Sequence, residues 1–241
     1  RRLVDYQDPA YARLYLDRLQ ALAEHGHEAL IAEAARHLAL WMSYEDTVRV
    51  ADLKTRATRF ERVRSEVKLG PDQLLQIHEF MHPRLQEICD TLPAGLGRWL
   101  MNSGAPRRWM ERLTDKGRVV QTSSLSGFLL LYLLAGLRRF RRGSLRFAVE
   151  NARIEAWLQA VHAAARSDPA LALEIVRCQR LVKGYSDTHE RGVRNFERLM
   201  AAAQRLAGRA DAATALARLR EAALADEHGK ALDSAWVAAA L

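Results

Sequence analysis

The chain has 241 residues, 49% apolar and 27% charged, with only 13 glycines and 6 prolines. That balance excludes a disordered tail or a fibrous repeat and allows a real hydrophobic core; the dominance of alanine, leucine and arginine favours helix. The net charge is +8, mostly from arginine. This suits an acidic partner and equally describes a solvated helical surface.

Asp8-Pro9 reads as an N-cap with proline at the first helical position, and Tyr11, Leu14, Tyr15, Leu19 and Leu22 follow at helical spacing up to Gly26. A second helix carries Ile31, Ala34, Ala35, Leu38 and Met42 inward. A third, from near Glu45, is predicted to turn Leu53, Ala57, Phe60, Val63 and Val67 inward, with Arg49, Asp52, Arg56 and Arg59 outside and an i,i+4 pair between Asp52 and Arg56. Leu69-Gly70-Pro71 breaks it.

Between Pro71 and Thr122 the density of proline and glycine leaves room only for short helices, with one short strand expected over Arg118–Thr122. Helices resume from Ser124 to about Arg139 and from Ser144 to about Arg166. The apolar run Gly127–Leu137 is 11 residues long, short of the ~20 a membrane span takes, and it reads as a buried core helix. Asp168-Pro169 repeats the opening cap. Asp187 and Glu190 resemble a capping box ahead of an inward stripe of Val193, Phe196, Met200, Ala203 and Ala207. Asp211 caps a further helix ending near Gly229. The expectation is one all-α domain over residues 1–241, with an irregular Pro/Gly-rich middle and at most one short strand.

The two cysteines, Cys89 and Cys178, form no C-x-x-C pair. They supply no disulfide framework and cannot build a four-cysteine iron–sulfur site, and a reducing, cytoplasmic setting is expected. His78-Glu79-Phe80-Met81-His82 spells H-E-x-x-H, which on a helix aims two histidines at a zinc ion with the glutamate as general base. Pro83 pushes His82 out of helical backbone, and no third ligand follows at a convincing position. A zinc-dependent hydrolase using His78, Glu79 and His82 is therefore the alternative reading, not the leading one.

Lys183, Tyr185, Asp187 and His189 gather at a helix start, where backbone N–H groups attract anions; a glycine turn and an N-cap explain the same residues without a ligand. From Arg98 to Arg146 there are eleven Lys/Arg and two acidic residues, a segment net of +9. Within it Arg138, Arg139, Arg141, Arg142 and Arg146 form the candidate docking cluster for an acidic partner surface. A basic nucleic-acid-binding module is a further alternative, but no zinc finger or RNA-recognition motif accompanies the charge.

Six blocks are distinctive: RLVDYQD (2–8), ARHLALWMSYEDTVRVADLKTR (35–56), EFMHPR (79–84), TLPAGLGRW (91–99), RLVKGYSDT (180–188) and REAALADEHGKALD (220–233). Together they resemble the C-terminal helical region of the bacterial indolepyruvate oxidoreductase beta subunit, of the 2-oxoacid:ferredoxin oxidoreductase family. The resemblance implies oxidative decarboxylation of arylpyruvates to aryl-acetyl-CoA with electrons passed to ferredoxin, in a complete enzyme that uses thiamine diphosphate, iron–sulfur clusters and CoA. It implies the alpha subunit, and ferredoxin, as partners. The thiamine motif and the cluster cysteines of that family do not occur in these residues, so no catalytic residue carries over and no cofactor is expected in this chain. The opening Arg1-Arg2 and the family pattern lead one to expect a piece of a longer chain, with the family's preceding α/β domain outside it. The expectation is a non-catalytic accessory helical domain for subunit assembly, site closure or acceptor docking.

Overall fold

A computed structural model describes residues 1–67, 73, 75–81, 84–114, 118–184, 186–226 and 229–241. The fold is all-α, with fourteen α-helices and one two-stranded sheet among the described residues. The helices are α1 (Arg2–Tyr6), α2 (Pro9–Ala23), α3 (Glu28–Trp41), α4 (Thr47–Thr55), α5 (Ala57–Val67), α6 (Leu85–Thr91), α7 (Ala94–Asn102), α8 (Gly104–Thr114), α9 (Leu125–Gly136), α10 (Leu145–Ala165), α11 (Pro169–Arg177), α12 (Ser186–Leu206), α13 (Ala212–Ala225) and α14 (Lys230–Ala238). Two 3-10 segments, Leu137–Gly143 and Cys178–Leu181, join neighbouring helices. No helix of the described residues is long and apolar enough to cross a membrane.

The helices group into two compact units, residues 1–44 with 152–241 and residues 45–151. In the first unit Trp41 on α3 meets Trp157 on α10 with ring centroids 5.5 Å apart, and Phe196 on α12 edge-on at 5.2 Å. The Trp157 indole Nε1 donates to Ile175 O at 3.0 Å, so the ring is buried without an orphaned donor. In the same unit Leu38, Val161, Val176, Leu199, Leu206 and Leu216 are buried. The predicted stripe on α12 runs through Val193, Phe196 and Ala203 but continues on Leu206; Ala207 faces solvent.

The second unit has a smaller core, in which Leu85, Cys89, Leu100 and Leu145 pack with Leu92, Met101, Met110 and Val149. Gly97 fits there because a Cβ would lie 2.6 Å from Cys89 O.

Local signals set the helix starts. Asp8 accepts from Tyr11 N at 2.7 Å, Asp46 from Arg49 N at 2.6 Å, Ser124 from Gly127 N at 3.1 Å and Asp168 from Leu171 N at 2.9 Å. Three expectations need correction. The third predicted helix is two, because the chain turns extended at Arg56 (φ −70°, ψ 136°). The Thr55 hydroxyl there donates to the carbonyls of Ala51 (3.0 Å) and Asp52 (3.1 Å), satisfying the last turn of α4 locally. Its predicted inward stripe fails as well: Val48 and Ala51 are the buried residues of α4, Leu53 and Val67 are exposed, and α5 buries none. Lastly, there are two strands and not one, β1 (His78–Met81) and β2 (Arg118–Gln121), paired antiparallel with His78 opposite Gln121 and Met81 opposite Arg118. A single strand would leave its backbone groups without partners.

Candidate functional site: a basic, apolar helix surface

The H-E-x-x-H reading fails on backbone. His78, Glu79, Phe80 and Met81 are strand, where successive side chains alternate between faces instead of stacking every fourth residue. His78 is exposed, and His82 lies outside the described residues. The Glu79 carboxylate is clamped by two cations, Lys54 from α4 and Arg59 from α5. A carboxylate so engaged ties the strand to two helices and is poorly placed to accept a proton from a metal-bound water. Among the described residues no group of three or more His, Cys, Asp or Glu is arranged to hold a metal ion.

Lys183 lines a cavity of about 70 Å³ beside the first turns of α12, together with Thr188, Arg191 and Asn195 on that helix and the apolar Leu181, Ala223 and Leu224. Asp187 and His189 do not line it, and Tyr185 lies outside the described residues. Asp187 sits inside the first turn of α12, which begins at Ser186, so it is not the N-cap of a capping box. Gly192 brings α12 close, since a Cβ there would lie 2.2 Å from Leu181 O. Two cations and two neutral polar side chains around so small a space suit at most a small anion.

The five arginines of the predicted docking cluster separate into two kinds. Arg141 is 2% exposed and donates from Nε to Asp46 Oδ2 at 2.7 Å and from Nη2 to Asp46 Oδ1 at 3.1 Å. Arg146 reaches the fully buried Glu150 at 2.9 Å and Asp90 at 3.5 Å. Burial pushes the Asp90 carboxyl above its usual range, against the opposing pull of Arg146. These two arginines hold the fold together and are unavailable to a partner. Arg138, Arg139 and Arg142 are exposed. They follow the C-terminus of α9, where the helix dipole favours cations, which accounts for part of their placement. Arg139 lies over the Phe140 ring at 5.9 Å.

The apolar run ahead of them was expected to be a buried core helix, and it is not. Only Gly127 and Leu131 of α9 are buried, on the side that packs against α4. Phe128 lies 6.2 Å from Phe60 of α5. At about 100° per residue the other side carries Leu125, Leu129, Leu130, Tyr132 and Leu133 on one arc. Leu125 is 77% exposed, Leu133 70% and Tyr132 61%. Phe140 extends the exposure into the 3-10 segment. Sequence reasoning missed these residues as functional. The available signal was a helix apolar all round, which needs cover on every side. Burying one such leucine fully contributes about 1.5–3 kcal/mol, so a patch of this size left in water is a standing drive toward association.

No curated protein and no solved structure matches the chain. A family model described as a family of unknown function, DUF6537, matches residues 1–202. That match takes in α9 and its arginines, and on its extent the chain belongs to the DUF6537 family.

Proposed function

We propose that this chain is the accessory helical part of a thiamine-dependent indolepyruvate/arylpyruvate:ferredoxin oxidoreductase of the cytoplasm. It is non-catalytic by itself and serves subunit assembly, with site closure and acceptor docking as the consequences. The observation that carries the reading is α9, whose leucines are exposed over a whole face and end in exposed arginines. An apolar helix face next to Arg138, Arg139 and Arg142 is suited to holding another protein, and the six sequence blocks that resemble the beta subunit supply the enzyme context. The ion-paired Glu79 counts against the zinc hydrolase. The thiamine diphosphate, the clusters and CoA would belong to the partner subunits.

The test is reconstitution. This chain, mixed with the thiamine-containing alpha subunit of an arylpyruvate oxidoreductase, should co-elute with it and change its indolepyruvate-dependent ferredoxin reduction. Supplied alone with thiamine diphosphate, CoA and ferredoxin, it should not turn over. Turnover by the chain alone, or no association with the alpha subunit, would overturn the reading.

A further inference from the structure

The exposed arc of α9 and the arginines behind it form one surface with two chemically different halves. From Lys116 to Val149 the chain holds no acidic residue. Two copies meeting through this segment would therefore bring arginines together with no carboxylate of the segment itself to answer them, which disfavours an isologous dimer. Arginine's planar fork matches a carboxylate bidentately, and the neighbouring leucines require an apolar counterpart. The cations also sit at one end of the helix instead of flanking the apolar arc along its length, unlike a helix built to lie flat in a lipid surface.

We propose that α9, with Arg138, Arg139 and Arg142, is the seat for a different protein chain whose facing surface sets an apolar patch beside a cluster of carboxylates. Resting on the reading above, that chain is the oxidoreductase's partner subunit. The leucines hold the complex, and the arginines steer its formation and fix its orientation. Arg141 and Arg146 take no part in the contact.

The experiment titrates the purified alpha subunit into the full chain and three variants, with far-UV circular dichroism as a fold control. Leu129→Gln with Leu133→Gln should weaken binding by on the order of 100-fold, chiefly through faster dissociation. Arg138→Ser with Arg139→Ser and Arg142→Ser should weaken it roughly ten-fold through slower association, an effect that shrinks as salt rises. Arg98→Ser with Arg112→Ser, exposed arginines of the same basic segment outside the patch, should bind like the parent. If the alpha subunit binds parent and α9 variants alike, this surface is not the seat, although the accessory role stands. If it binds none of them, the accessory role fails and takes the seat with it. Self-association abolished by the leucine variant would assign α9 to a second copy and overturn the proposal. Co-sedimentation with phosphatidylserine/phosphatidylcholine vesicles, lost in the same variant, would assign it to a lipid surface with the same consequence.

Discussion

Arg141 and Asp46, 95 residues apart in the chain, form a buried two-point ion pair, and the same aspartate caps α4 by accepting from Arg49 N. The 3-10 segment after α9 is thereby fixed to the start of the helix against which α9 packs.

Removing one member of this pair strands the other in a buried site. Arg141→Ala should lower the unfolding free energy by about 3–5 kcal/mol, whereas Arg138→Ala, Arg139→Ala and Arg142→Ala should each stay within about 0.5 kcal/mol. Urea denaturation of the four variants checks this. Equal effects from all four would mean that the arginines act as one surface group.

A second prediction concerns pH. His25 Nε2 and His162 Nδ1 lie 2.9 Å apart, joining the end of α2 to α10, with one ring donating and the other accepting. Burial, and then the neighbouring His25, holds the His162 imidazole below the ordinary histidine value of about 6.5; Arg166 acts in the same direction and Glu24 against it. Burial likewise depresses His37, whose Nδ1 lies 2.7 Å from Gln179 Oε1. Below pH 6.5 the unfolded chain binds these protons more readily than the folded one, so stability falls as the solution is acidified and is unaffected by these groups well above it. Thermal unfolding at pH 7.5 and 5.5 should show the loss. His162→Gln should reduce the difference between the two pH values, and an unchanged difference would exclude this pair as a source.

The close approach of α12 to the preceding 3-10 segment gives a third. At Gly192 an added Cβ meets a backbone carbonyl, Leu181 O, which cannot swing aside as a side chain would. Gly192→Ala should cost about 1–3 kcal/mol despite alanine's better helix propensity. At Gly136, where nothing lies within 4 Å of the added carbon, the same change should be neutral or stabilising. Denaturation midpoints of the two variants test the contrast.

The fourth concerns metal. With His78 on a strand and Glu79 held by Lys54 and Arg59, the purified chain should not retain stoichiometric zinc. Elemental analysis finding one zinc per chain, lost on His78→Ala, would restore the hydrolase reading. Glu79→Gln should instead act on stability, since it leaves two half-buried cations without their carboxylate.

What the sequence by itself determined is local. Aspartate before proline at 8–9 and 168–169, serine at 124 and the 3.6-residue spacing of apolar side chains place helix starts and types, because caps and periodicity act within a turn or two of the chain. The strand at 118–121 was legible too, while its partner at 78–81 was hidden inside a motif whose chemistry suggested helix. Only the tertiary structure decided which arginines are surface and which are framework. Arg138 and Arg141 are three residues apart and alike in sequence, and a distant aspartate buries one of them. It also decided the fate of α9: apolarity all round specifies that the helix requires cover, but α4 covers only the Gly127–Leu131 side. Burial is a property of neighbours brought together by folding, and no local pattern on α9 records that the opposite side is left open.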